Sequence, residues 1–301
     1  MNPLETSIDW ERQRAFLAVL REGSLSAAAR ALGVAQPTVR RRIEDLEASV
    51  GTSLFTRSQT GLLPTEQAHA LAEHAETMAL AAGAFVRTAS AAAHEVAGTV
   101  RISAGDVMAI EVLPPILAGL CNRHRALAIE LSPTNRTEDL LRREADVAVR
   151  MTPPQQDALL ARRIGTVKLG IYAHRRYLEA NGTPTRIEEA PQHTLIGLEH
   201  DSPLLRKVQE GGLPVRREDF RFRSDSDLAH IAVLRAGLGV GLCHVAIAAR
   251  DADLIRLFPD QFTFDIETWV VCHEDLRNVA RVRAVFDALV EGLLGYIASQ
   301  D

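Results

Sequence analysis

Between Ser24 and Gly51 the chain reads SLSAAARALGVAQPTVRRRIEDLEASVG, the stretch that most restricts its fold. Ser24 or Ser26 can accept from the free amides of a short Ala-rich helix, and Gly33 supplies the left-handed backbone that closes it. A second helix opens at Gln36-Pro37, where the amide that proline lacks is one the first turn leaves unbonded anyway; Gly51 ends it. Val39, Ile43 and Leu46 recur at i, i+4 and i+7 and make one apolar stripe. At ~100° per residue, Arg41 points directly away from that stripe, with Arg40 and Arg42 at its sides. Ala28 and Ala29 are small enough to let the two helices approach closely. Such a pair, with outward cations on the second helix, has the geometry of a helix-turn-helix. An arginine run can also be a solvated face paired with Glu44, Asp45 or Glu47 at i+3 or i+4. Its position after a glycine turn favours DNA.

The flanks fit. Asp9 is a plausible cap for a helix over WERQRAFLAVLRE, with Phe16, Leu17 and Leu20 at helical spacing and Gly23 as its stop. After Gly51, TSLFTRSQTGLLPTEQA places a buried strand start at Leu54 and Phe55, Arg57 before a polar loop, and a second short strand at Leu62 and Leu63. That is the pattern of a wing.

Over about residues 9–68, FLAVLREGSLSAAARALGVAQPTVRRRIEDLEASVGTSLFTRSQTGLLPTEQA resembles the N-terminal domain of the LysR-type transcriptional regulators. The resemblance rests on the helix spacing, Gln36-Pro37, Leu46-Glu47, the LFTR at 54–57 and Leu63-Pro64-Thr65. It implies a winged helix-turn-helix over 7–65 of a bacterial regulator that reads an inverted-repeat DNA operator. Candidate DNA contacts are Ser26, Ala35, Gln36, Pro37 and Thr38, together with Arg40, Arg41, Arg42 and Arg57. Ala35 stands where the family usually has Ser, and Arg40-Arg41-Arg42 where it often has Ser-Arg-Gln. Small polar contacts are thereby exchanged for cations.

From residue 66 to 94 the chain is Ala-rich and free of proline, with Thr65 as a cap. Ala68, Leu71, Ala75, Met78, Ala82, Phe85, Ala89 and Ala92 alternate at spacings of three and four, an a/d seam. A helix of this length, ~42 Å at 1.5 Å per residue, calls for a partner. The family resemblance implies the same: the helix pairs two chains, and Leu71, Ala75, Met78, Ala82 and Phe85 are the dimerisation candidates.

Beyond Gly98 the rhythm becomes TVRISAG, VLPPILAGLCNRH, LAIEL, RTEDLLRREA, DVAVR, a β-α-β-α-β alternation that predicts a parallel sheet under helices. A second round starts near Gly165, FTFDIETWVV returns as a long strand, and VARVRAVFDALVEGLLGYI closes as an amphipathic helix. The expected α/β domain over 98–301 has two lobes, about 98–165 with 270–301, and 166–269. This resembles the effector-binding domain of the same family, which is built like a periplasmic binding protein. Ligands in such folds sit at strand carboxyl ends and helix N-termini. The candidates there are Ser103, Asp106, Val107 and Thr134, with Asn135, Ser202, Asp225 and Ser226. Ser132–Thr137 and Ser224–Asp227 can equally be helix caps. Val107 stands where the family often carries a hydroxyl, which leaves backbone amides to hold a carboxylate there.

The expected partners are a double-stranded operator, a small-molecule effector such as an organic acid or other metabolite, and further copies of the chain in a homodimer or homotetramer. RNA polymerase is a further candidate. The formal net charge of −5 excludes coating of nucleic acid by bulk charge but not a local basic surface. Residues 1–66 hold eight Arg and eight acidic side chains, so the net negative charge comes from the rest of the chain. No membrane-length apolar run and no secretory leader pattern is present, and a cytoplasmic protein is expected. Cys121, Cys243 and Cys272 are far apart and read as reduced thiols, with a redox-responsive regulator as the alternative. A further alternative is a small-molecule-binding protein or enzyme over 98–301 with an N-terminal oligomerisation module. AGLGVGL at 236–242 follows a helix, unlike a dinucleotide loop, and reads as a helix-to-strand turn. His69, Glu73 and His74 lack zinc-protease spacing, and adjacent Cys243 and His244 point to opposite faces of a strand. No catalytic set, metal site or cofactor motif is expected.

Overall fold

The structure is a computed structural model; it describes residues 9–58, 61–89, 96–135, 145–154, 159–200, 205–206, 209, 213 and 215–300. Ser202, Ala92 and residues 136–144, RTEDLLRRE, lie outside the described residues. The chain divides into two compact units, Met1–Val86 and Arg87–Asp301.

The first unit holds α1 (Trp10–Glu22), α2 (Leu25–Leu32), α3 (Gln36–Val50), β1 (Phe55–Ser58), β2 (Gly61–Pro64) and most of α4 (Glu66–Ala89). The local signals act where they were read. Asp9 accepts from the Glu11 amide, Ser24 rather than Ser26 caps α2 through the Ala27 amide, and Gly23, Gly33 and Gly51 close three helices with φ near +70°. Val39, Ile43 and Leu46 are buried with Phe16, Val19, Ala28 and Leu54 in one core.

Glu47 is not a partner for the arginines. Its Oε1 accepts from the amides of Leu54 at 2.6 Å and Phe55 at 3.2 Å, anchoring the wing to the end of α3. On the other side, the Leu62 amide donates to the Gly23 carbonyl at 2.9 Å. Gly61 (φ 143°) sits so close that a Cβ there would lie 2.6 Å from that same oxygen. The hairpin is therefore clamped at both ends.

The seam of α4 is divided. Ala68 and Ala75 are buried in the unit's own core, with Leu71 and Ala79 packed against it, while Met78 is 40% and Phe85 75% exposed. Ala75 is thus withdrawn from a partner-facing set, because the first turns of α4 cover the three-helix core. The exposed part of the seam is its C-terminal half, where Val86 (64% exposed) adjoins Phe85.

The second unit contains β3 (Gly98–Ala104), a π-helical turn (Met108–Val112), α5 (Leu113–Arg123), β4 (Leu127–Pro133), β5 (Val147–Arg150), β6 (Leu159–His174) and α6 (Arg175–Asn181). It continues with β7 (Leu195–Gly197), β8 (Phe220–Arg223), α7 (Asp227–Arg235), β9 (Val240–His244), α8 (Val245–Ala248), β10 (Leu254–Leu257), β11 (Phe264–His273) and α9 (Ala280–Ala298). One sheet runs β4-β3-β5-β11-β6-β9-β7-β8, with β10 also on β6.

The sheet is mixed rather than parallel. β3 pairs in parallel with β4 and β5, and β7 with β8 and β9, whereas β6 and β11 run antiparallel to each other and to their other neighbours. β6 is sixteen residues long, far more than VKLGIYA alone suggests. It and β11 pass through both halves of the sheet, and their register shifts where Gly165 meets Thr268. Two large apolar cores result among the described residues, one under β3, β5, α5 and α9 and the other around Tyr177, Leu195, Phe220 and Phe258, with a small third cluster at Ala145, Ala148 and Val271.

Candidate nucleic-acid interface and ligand cleft

The outer face of α3 begins at its first turn. Ala35, Gln36, Pro37, Thr38 and Arg40 are exposed, as are Ser26 on α2 and Arg57 on β1. The arginine triplet separates into three environments. Arg41 is the most open, its side chain 84% exposed and only loosely paired with Asp45 at 3.9 Å. Arg40 is exposed. Arg42 is 23% exposed and forms a 2.7 Å ion pair with Glu11 of α1. The guanidinium braces α3 against α1, which leaves it less free for a DNA contact than Arg41. Glu11 lies 31 residues earlier, so the pair was invisible to a local reading.

The second unit encloses a cleft of about 920 Å³. Val107 and Met108 line it at the π-turn, Asn135 beyond β4, and Met151, Thr152 and Pro153 beyond β5. Asp227, His230 and Ile231 of α7 face it, as does β9 from Val240 to His244. Leu169, Ile171, Phe220 and Phe264 supply apolar wall.

Several expected ligand contacts lie elsewhere. Ser103 is fully buried and its Oγ accepts from Arg150 Nη1 at 3.0 Å. The Asp106 carboxylate accepts from Asn135 Nδ2, and the Asp106 amide donates to Asn135 Oδ1 at 3.1 Å, so these two brace each other. The Thr134 amide donates to the Ala104 carbonyl at 2.8 Å. Asp225 accepts from the amides of Glu199 and His200 and from the His200 ring. These bonds hold its carboxyl low and push His200 up. Ser226 caps α7 through the Ala229 amide. None of Ser103, Asp106, Thr134, Asp225 and Ser226 belongs to the described lining. Ser103 and Asp106 are engaged by the side chains of Arg150 and Asn135, and Asp225 and Ser226 by backbone amides, while the walls are built from residues that read as core in the sequence.

Asn135 and Val107 of the predicted set line the cleft, and its further polar groups came from outside that set. His230 Nε2 lies 2.9 Å from the Gly197 carbonyl and 2.7 Å from that of Ser224, so this nitrogen carries the proton. Nδ1 stands 4.0 Å from Asp227. Burial raises the Asp227 carboxyl, against the pull of His230. His244 is 8% exposed; burial pushes its ring down to about 4, and Nδ1 lies 3.0 Å from the Tyr296 hydroxyl. Behind the cleft Arg235 grips Glu111 with two bonds, at 2.8 and 3.2 Å, tying α7 to the π-turn. That bond holds Glu111 below its ordinary value.

The thiols are free, and burial pushes Cys243 up to about 12 and Cys272 to about 11. Thiols rather than thiolates react slowly. Iodoacetamide at pH 8 is therefore expected to label partly exposed Cys121 in the native protein and to spare Cys243 and Cys272. Peptide mass mapping checks this; labelling of Cys243 before unfolding would overturn it.

A winged helix-turn-helix, a long helix and an α/β domain enclosing a cleft define a DNA-binding regulator with a sensing domain. Residues 10–69 match the bacterial regulatory helix-turn-helix protein, lysR family, and residues 93–294 match the LysR substrate binding domain. The chain belongs to the LysR family of transcriptional regulators. It is 27% identical to the regulator CrgA of Neisseria meningitidis, over 94% of this chain and 96% of that protein. Its fold is similar to full-length AphB, the Vibrio cholerae virulence activator, with a TM-score of 0.62 and 22% identity over 94% and 99% of the two chains. It is also similar to full-length CbnR solved with its target DNA, TM-score 0.65, 20% identical over 93% and 99%. Among the described residues no helix is long and apolar enough to cross a membrane.

Proposed function

We propose that the chain binds an inverted-repeat operator as a homodimer or higher oligomer, and that a small molecule in the cleft between two lobes alters that binding. The exposed outer face at the start of α3 is the observation that supports it most, with Arg41 directed to solvent. CbnR, a LysR-family regulator of similar fold, is a DNA-bound precedent. The exposed Met78, Phe85 and Val86 offer an apolar surface for a second chain. In this reading Gln36, Thr38, Arg40 and Arg41 face the groove and Arg57 a phosphate.

Mobility shift against DNA upstream of its own and neighbouring genes tests the reading; no salt-sensitive, sequence-specific shift would sink it. With an operator in hand, Arg41→Ala is expected to weaken binding by about tenfold, within the ~1–3 kcal/mol of one base contact. Arg42→Ala is expected to lower the melting temperature with a smaller effect on operator affinity at matched folding. Equal losses for the two would contradict the separation of their roles.

A further inference from the structure

We infer that the cleft takes a largely apolar, non-acidic molecule, an amine or an uncharged amide-like group on a hydrocarbon body, and rejects organic acids. This deepens the proposed function and rests on its reading of the cleft as a ligand site.

The wall chemistry carries the inference. Among the described residues no Lys or Arg lines the cleft. Arg150 at the end of β5 donates to Ser103 Oγ, and Arg235 is held by Glu111 behind α7. Among the described lining residues, Asp227 is the acidic side chain that faces the cleft. Asp227 stands at the first turn of α7 and lines the cleft. Asp265 and Glu267 border it from β11, where strand alternation sets them opposite Phe264 and Ile266; Glu267 pairs there with Arg163 at 3.0 Å. The N-terminus of α7 is no seat for an anion, since Ser226 takes the Ala229 amide and Asp227 supplies a negative charge. A carboxylate placed beside Asp227 would meet like charge, with no Lys or Arg among the described lining residues to offset it.

Two groups remain for orientation. His244 is more than nine-tenths buried, lines the cleft and is neutral at pH 7; with Nδ1 on Tyr296, Nε2 has no protein partner among the described residues. Asp227 can accept from an ammonium or an amide N–H. The remaining wall is mostly hydrocarbon, from Met108, Leu169, Ile196, Leu242 and Phe264, which suits an apolar body.

The full-length protein is titrated at pH 7.5 with three probes of one skeleton: 3-phenylpropylamine, 3-phenylpropanamide and 3-phenylpropanoate. Binding is read by calorimetry and by shift in melting temperature. The amine or the amide is expected to bind at least about tenfold tighter than the acid. Asp227→Asn is expected to weaken the amine and leave the amide. Leu242→Trp is expected to abolish binding by filling the cleft, and Thr152→Trp, at an exposed rim position, does the same without entering the core. Equal or tighter binding of the acid overturns the inference. So does failure of both amine and amide, or binding indifferent to both Trp variants. If amide or amine binds in the cleft but leaves operator affinity and footprint unchanged, the regulatory reading fails while the ligand chemistry stands.

Discussion

Replacing Gly239 by Ala is expected to lower the stability of the second unit by about 3 kcal/mol, the upper end of what overpacking costs. A Cβ at this position would lie 2.0 Å from the Thr194 carbonyl oxygen and 2.9 Å from its carbon. Both are backbone atoms, so no rotamer change relieves the clash. That oxygen is also fixed, because it accepts from the Val240 amide at 2.8 Å where β9 joins β7 in parallel register. Either the helix-to-strand turn or the β7 pairing must move, and both border the cleft. At 2–4 °C per kcal/mol for a domain of this size, the melting temperature should fall by about 6–12 °C. Gly119→Ala is the internal control. Gly119 lies inside α5 with open space around its Cβ position, and the same change there is expected to be neutral or to stabilise by up to about 1 kcal/mol. Comparable losses at both positions would refute the steric account.

That contrast also shows why the AGLGVGL stretch misleads as a motif. Gly237 takes φ 74° at the end of α7, Gly239 lets two strands meet, and Gly241 lies against Ile196. The glycines serve the junction and leave no cradle for a phosphate.

Local signals were the most legible. The caps at Asp9, Ser24 and Thr65 and the stripe of Val39, Ile43 and Leu46 each depend on residues within four positions, and so could be read directly. The pairing of β6 with β11 joins residues about a hundred positions apart, and the Arg42–Glu11 pair crosses two helices. Nothing in a sequence window reports either. The cleft was the least legible part. Polar residues near strand ends drew attention, yet Ser103, Asp225 and Ser226 are occupied by Arg150, by loop amides and by a helix amide. The residues that line the cleft, such as Met108, Ile231 and Leu242, share the apolar patterning of the core beside them. Asn135 was legible as a polar residue at a strand end, whereas His230 and His244 lie in patterns, AHIAV and GLCHV, that look structural.

His244 gives the second large expectation, a loss of about 3 kcal/mol of stability as pH falls from 6.5 to about 4. Burial lowers the ring from 6.5 to about 4 in the folded chain. Between those limits the unfolded chain binds the proton and the folded chain does not, so protons favour unfolding. The contribution is present in full above 6.5 and disappears as pH falls through the folded value. Other groups act in different windows or in the opposite sense. Glu111, held low by Arg235, adds its own acid sensitivity below 4.5. His200, raised by Asp225, works the other way and is lost as pH rises, but it is fully exposed and screened. Asp227, raised by burial, also favours the folded chain on protonation. The deeply buried imidazole outweighs them between 4 and 6.5, since no solvent screens its charge. Urea unfolding of the full chain at half-unit steps of pH should therefore show a steep slope there, and His244→Phe should flatten it. The Phe ring keeps the volume but leaves the Tyr296 hydroxyl without its partner, so the variant should also lose about 1 kcal/mol at pH 7.5. A slope unchanged in the variant would place the acid sensitivity elsewhere, and the neutral hydrogen-bonding role of His244 in the cleft would lose its electrostatic basis.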